Sequence, residues 1–191
     1  MRWTEQVAEL PLQPLAALAA RLPGIDALLG ELAPVDGLVI AVDAAAADDV
    51  LRHLGSHGEE RGGLLLGEVY AEGTTACGGR VVHVTQSVAA TEFASSGVSL
   101  RMASGVWEEA RSRLRPVELV VGWYHSHPGL GAFFSHTDRR TQRAFFPHAY
   151  SVGWVLDPQG GESAWFVGPD SAPPAHVVPA PPVPGTGTGR R

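Results

Sequence analysis

The stretch "GWYHSHPGLGAFFSHTD", residues 122–138, places two histidines one residue apart, follows them with a proline, and returns to a serine and an aspartate. A β-strand sends residues i and i+2 to the same face. His125 and His127 therefore point together from the end of the apolar run "VELVVGWYHSH", and Pro128 bars its continuation. Two imidazoles on one rigid edge supply half of a zinc site. Ser135 and Asp138 have the spacing of a helix start, with Ser135 as N-cap and Asp138 in the first turn, its carboxylate free to face the strand end. His125, His127 and Asp138 are the candidate ligands of a single Zn2+. Three protein ligands leave a fourth position for water, which separates a catalytic zinc from a closed structural one. Water in that position loses its proton near neutral pH. Hydrolysis there also needs a general base and a donor to the oxyanion. Ser135 is the candidate donor, held near the metal by chain connectivity.

Working outward, the composition limits the alternatives. The chain has 191 residues, 45% apolar and 18% charged, which suits one well-cored soluble domain. Its net charge of −6 gives no global attraction to nucleic acid or an anionic membrane. Two arginine clusters, Arg111, Arg113 and Arg115, then Arg139, Arg140 and Arg143, read as solvated helix faces. Cys77 is the only cysteine, so no internal disulfide and no thiolate-rich zinc site can form. Histidine and carboxylate remain as metal ligands, and a cytoplasmic setting is the expectation. No run approaches the length of a membrane span. The segment "PLAALAARLP" lacks the charge pattern of a signal peptide. Every basic residue is arginine, and lysine and asparagine are absent.

Three regions are expected. Residues 1–36 read as a helical extension, with "PLAALAARL" and "IDALLGEL" separated by Pro23 and Gly24. Such short segments must pack on the domain or on a partner, so the extension is the expected surface for a homodimer or partner protein. Residues 37–168 form the catalytic domain, and 169–191, rich in proline and glycine, read as a disordered tail. Within the domain, "LVIAV" is a buried strand, followed by Asp43 as N-cap of a helix with Ala47, Leu51 and Leu54 on its inner face. "GGLLLGEVY" and "RVVHVTQSV" are strands. Leu100, Ala103, Trp107, Ala110 and Leu114 mark a longer helix. "TDRRTQRAFF" is a short helix, and "YSVGWVLD" and "SAWFVG" close as strands. The fold class is α/β, a mixed central sheet with flanking helices.

The pattern His125-x-His127-Pro128, with Ser135 and Asp138 following, resembles the signature of the JAMM (MPN+) zinc metalloproteases. The form "VVGWYHSHPGLG" is especially similar to the deubiquitinases of the proteasome lid. The resemblance covers about Leu38 to Gly168 and implies a single MPN-like domain of prokaryotic type. In that family the two histidines and the aspartate bind zinc and the serine steadies the intermediate. The family's base is a glutamate three residues before a Gly-apolar-apolar-apolar-Gly run. Here that run is Gly63-Leu64-Leu65-Leu66-Gly67, so the matching residue is Glu60. Glu59 and Glu68 compete; the first faces the other way in an extended segment, and the second lies beyond a long apolar strand.

The resemblance implies a zinc-dependent isopeptidase or peptidase that cleaves after the C-terminal tail of a ubiquitin-like protein. Alternatives are a hydrolase of sulfur-carrier-protein adducts and a non-catalytic MPN scaffold. The segment after Asp138 is short and the cysteines of a second zinc site are missing, so one ion is expected. His53, His83 and His176 read as structural or solvent-facing; His136 and His148 are candidate substrate contacts.

Overall fold

The run Leu38–Val42 is apolar at every position, and such a strand needs cover on both faces. The computed structural model describes residues 12–22, 24, 25, 27, 37–55, 58–71, 80–91, 93–96, 99–102 and 104–180, and in it all five residues of this run are buried. The elements in chain order are β1 (Gln13–Pro14), α1 (Leu15–Arg21), β2 (Leu38–Val42), α2 (Ala44–Leu54), β3 (Gly62–Ala71) and β4 (Arg80–Ala89). They continue with β5 (Phe93–Ser96), β6 (Ser99–Met102), α3 (Ser104–Arg113), β7 (Leu119–Ser126), α4 (His136–Phe145), β8 (Val152–Asp157), β9 (Glu162–Val167) and β10 (His176–Pro179). The main sheet runs β10-β2-β4-β3-β7-β8-β9, with β1 attached to β3, while β5 and β6 form a separate pair.

The sheet is mixed. β3 is antiparallel to β4 and β7, whereas β7 and β8 run parallel. On one face α2 lays Ala46, Val50 and Leu54 against Val82, Tyr124 and Trp154. On the other, Val106 and Ala110 of α3 meet Leu64, Trp123 and Phe146. A register shift opposite Leu65 and Leu66 leaves Val121 unpaired on β7, a bulge that resets which residues face which side. Beyond it Trp123 and His125 share the α3 face, and Tyr124 takes the other.

Four expectations need correction. The buried face of α2 is Ala46, Val50 and Leu54; Leu51 is 50% exposed. Asp43 stands at the N-cap but makes no side-chain cap bond, because its Oδ1 accepts from His83 Nε2 at 2.7 Å. Leu100 lies in β6, so α3 begins only at Ser104. The tail expected to be disordered from residue 169 is ordered through residue 180, and β10 pairs in parallel with β2. Its proline-rich composition hid an edge strand in which Val178 alone is buried. Residues 181–191 lie outside the described residues.

Part of the amino-terminal extension is described. Leu18, Leu22 and Ile25 are fully buried against Val39, Ala41, Tyr70, Val81 and Val178. Arg21 of α1 pairs with Glu68, a buried carboxylate that also accepts from the Tyr70 hydroxyl. This contact is toward the end of β3 remote from Gly62, about 20 Å along the strand from Gly62 to Glu68. The described portion therefore leaves the His125 end of the sheet uncovered. Residues 1–11 and most of "IDALLGEL" lie outside the described residues.

Because Leu18 joins the core, Leu18→Ala should lower stability by about 3 kcal/mol. Urea denaturation checks this; a change below about 0.5 kcal/mol, the usual effect of a surface substitution, would show that α1 does not belong to the core.

Candidate metal centre

The sequence sets β7 between two partners at its functional end. His125 stands opposite Gly62 of β3 and beside Val155 of β8. Its ring stacks on Trp123, centroids 4.5 Å apart and 5° from parallel. Trp123 Nε1 donates to Gln142 Oε1 at 2.7 Å, and Gln142 Nε2 donates to the carbonyls of Ser151 and Gly168. Gln142 is one helical turn after Asp138, so these bonds fix α4, and with it Asp138, against the strand that carries the histidines.

His127 lies just past the strand, its amide donating to the Leu156 carbonyl at 2.8 Å. The loop that follows is held by Asp157, whose carboxylate accepts from the amides of Gly129 at 2.8 Å and Gly131 at 2.9 Å. Both glycines have positive φ, 74° and 87°, values that other residues adopt only with strain. Asp157 accepts from Gln159 and Gly160 as well. The amides of Gly160 and Gly129, then those of Gly131 and Gln159, hold its pKa at about 2 against the opposing effect of burial.

Ser135 caps α4 through a reciprocal box. The Asp138 amide donates to Ser135 Oγ at 3.2 Å, and the Ser135 amide donates to Asp138 Oδ2 at 2.6 Å. Asp138 is 3% exposed. Burial raises its pKa, but His125 and the two Ser135 interactions outweigh that and hold it at about 2. It is a carboxylate at neutral pH.

The three side chains converge. His125 Nε2 is 3.1 Å from His127 Nε2 and 3.4 Å from Asp138 Oδ1, and His127 Nε2 is 3.5 Å from Asp138 Oδ2. A tetrahedral ion with bonds of about 2.0–2.1 Å sets its ligand atoms roughly 3.3–3.4 Å apart. The separations are of that size, one histidine facing each carboxylate oxygen, so the three side chains surround a space that an ion could share. Among the described residues this is the only group of three histidine, cysteine or acidic side chains so arranged, and all three are buried. Burial, then the neighbouring His125, lowers the pKa of His127; Asp138, Glu60 and a hydrogen bond with the Gly131 backbone oppose this. The lowered pKa favours the neutral ring that metal binding requires. The residues present thus fit a zinc ion held by three side chains.

Glu60 is half-buried and directly precedes the backbone of Arg61, which exchanges bonds with Ser126: Ser126 N to Arg61 O at 2.8 Å, and Arg61 N to Ser126 Oγ at 3.0 Å. Ser126 lies between the two histidines, so this pairing brings Glu60 to the site, where its charge is felt at His127. Glu59 is exposed, and Glu68 is committed to Arg21 and Tyr70 far away. His83 is buried against Asp43, His53 Nδ1 lies 2.9 Å from the Tyr124 hydroxyl, and His148 stacks on Tyr150.

Residues 43–167 match the family described as prokaryotic homologues of the JAB domain. The chain belongs to that family. Its JAB domain is also 37% identical over 129 residues to the 26S proteasome regulatory subunit rpn11 of Schizosaccharomyces pombe, covering 62% of this chain and 38% of that protein. It is 35% identical over 101 residues to the ubiquitin carboxyl-terminal hydrolase RPN11 of Saccharomyces cerevisiae, covering 50% of this chain and 30% of that one. The match thus spans well under half the length of these relatives. Among solved structures, protein DSY2949 from Desulfitobacterium hafniense has the same fold, with a TM-score of 0.57 at 20% identity over 76% of this chain and 95% of that one. The JAMM (MPN+) resemblance is thereby established at the level of the family.

Trp123, Gln142 and Asp157 position the centre without a sequence motif that announces them. Only the spacing of Gln142 from Asp138 on one helix face could have drawn attention to it.

Asp157 is held at about 2 against an ordinary 3.8, so it stabilises the fold above pH 4 and loses that contribution as pH falls through about 2. Asp157→Asn should be less stable than the wild type at pH 7, with the gap closing between pH 4 and 2. Urea midpoints measured across that range decide it; a gap that stays constant would show that the carboxylate charge does not hold the loop.

Proposed function

We propose that this JAB-domain chain is a zinc-dependent isopeptidase or peptidase that cuts after the C-terminal tail of a ubiquitin-like protein. The observation that carries the reading is the convergence of the buried His125, His127 and Asp138 within metal-ligating distance of one another, with Glu60 alongside. A zinc ion held there by His125, His127 and Asp138 would supply Lewis acidity and bring the pKa of its water down to about 7.

The chain's own groups supply the rest. Glu60, tied to Ser126 through Arg61, receives the proton of the attacking water on its carboxylate and passes it to the leaving nitrogen. Ser135 Oγ already accepts from the Asp138 amide, so its hydroxyl proton is directed elsewhere and serves the oxyanion. Asp157 and the glycines of the loop keep His127 in place while this happens. The β5–β6 pair packs beside α4 and, among the described residues, pairs with no strand of the main sheet. An extended tail adding a strand to such an edge gains main-chain hydrogen bonds without demanding particular side chains. The relatives' printed roles, a proteasome subunit and a ubiquitin carboxyl-terminal hydrolase, support a ubiquitin-like partner. No described helix is long and apolar enough to cross a membrane, and the lone cysteine suits a reducing cytoplasm.

Incubation of the zinc-loaded chain with fusions of ubiquitin-like proteins, read by intact mass, should give cleavage directly after the tail. Glu60→Gln should lose about 10²–10⁴-fold in turnover while still binding the ion. Failure of metal-loaded protein to cut any tail amide would sink the peptidase reading and favour the adduct hydrolase or the scaffold. Full activity in Glu60→Gln would remove Glu60 as the base.

A further inference from the structure

The helix that delivers Asp138 inward has an outer face that the reaction does not use. Successive helical residues are 100° apart, so His136, Arg139, Arg140 and Arg143 fall within one 100° arc of α4. All four are exposed. The helix's single acid, Asp138, is buried in the metal centre. Arginines on the other helices find acids: Arg52 pairs with Asp49 on α2, Arg113 with Glu109 on α3, and Arg21 of α1 with Glu68 of β3. Among the described residues Arg139, Arg140 and Arg143 form no ion pair. Arg139 and Arg143, four residues apart on the helix, are like charges that repel each other. In a chain of net charge −6 this is a local excess of positive charge that costs helix stability.

Just ahead of the Ser135 cap, the loop exposes two large apolar side chains, Leu130 at 65% and Phe133 at 48%, and the Phe133 ring lies 5.1 Å from that of His127. The apolar rim therefore reaches the metal centre, and the basic stripe begins at His136, directly after the Ser135 cap. We infer that the outer face of α4 and the Leu130–Phe133 loop dock an acidic, extended segment of the substrate protein that flanks the bond to be cut. The inference rests on the peptidase reading and names the substrate feature that this chain selects. The spacing fits: Arg139 and Arg143 are about 6 Å apart along the helix axis. Alternate residues of an extended segment are about 6.8 Å apart. Carboxylates two positions apart on such a segment meet Arg139 and Arg143, which bind them bidentately. Three cations neutralise too few phosphates to retain nucleic acid against the chain's overall negative charge.

The test is direct binding to the zinc-loaded full chain, with no bond cleaved. The probes are a fluorescent peptide alternating glutamate with serine and its glutamine counterpart. The glutamate peptide should bind about tenfold more tightly at low salt, with the advantage fading as salt screens exposed charges. The advantage should vanish in Arg139→Glu/Arg140→Glu/Arg143→Glu and in the corresponding triple glutamine variant, and persist in Arg111→Glu on α3. Zinc stoichiometry certifies that each variant is folded. Equal binding of the two peptides by the wild type, a preference that survives both triple variants, or equal competition by an oligonucleotide of the same charge would overturn the inference. Loss of cleavage with the preference intact would instead count against the peptidase reading alone.

Discussion

Two buried imidazole nitrogens stand 3.1 Å apart beside a buried carboxylate whose pKa is held at about 2, and the fold is arranged around that cluster. Burial disfavours the charged form of His127, which suits the neutral ring that a metal ion requires. The surrounding structure serves to impose this convergence. The parallel pairing of β7 with β8 sets the histidine strand, the Trp123–Gln142 bond fixes α4, and the Ser135 box aims the carboxylate.

These supports divide the molecule into a working end and an anchored end. At the working end lie the glycine loop, Glu60 and the exposed outer face of α4. At the other end of β3, Glu68, Tyr70 and Arg21 bind the amino-terminal helix to the sheet. Rigid placement of ligands on strands and helix starts, rather than on free loops, holds the three side chains together. Asp157 extends that rigidity to the one ligand, His127, that lies beyond the strand.

How much of this the sequence reveals depends on the range of the interaction. The histidine pair is legible because alternation is a local property of a strand. Asp138 is legible because a capping box is a local property of a helix start. Glu60 comes only from the family resemblance, by its place before the glycine frame, and the Arg61–Ser126 pairing sets that place beside the histidine strand. Gln142 and Asp157 are not legible as supports, because their partners are brought to them only by the β7–β8 pairing and the turn that follows. The inner face of α2 was misread for a different reason. Its alanine-rich first turn gives little contrast, and Val50 and Leu51 are adjacent and equally apolar, so only contact with the sheet selects Val50. β10 was missed because its flanking prolines resemble a linker, while its strand character comes from the free edge of β2.

The most direct test of the central claim is a crystal structure of the chain reconstituted with one equivalent of zinc. The account predicts a single ion bonded to His125 Nε2, His127 Nε2 and one oxygen of Asp138, with solvent at the fourth tetrahedral position. An ion bound elsewhere, or a fourth protein side chain closing the coordination sphere, would contradict it.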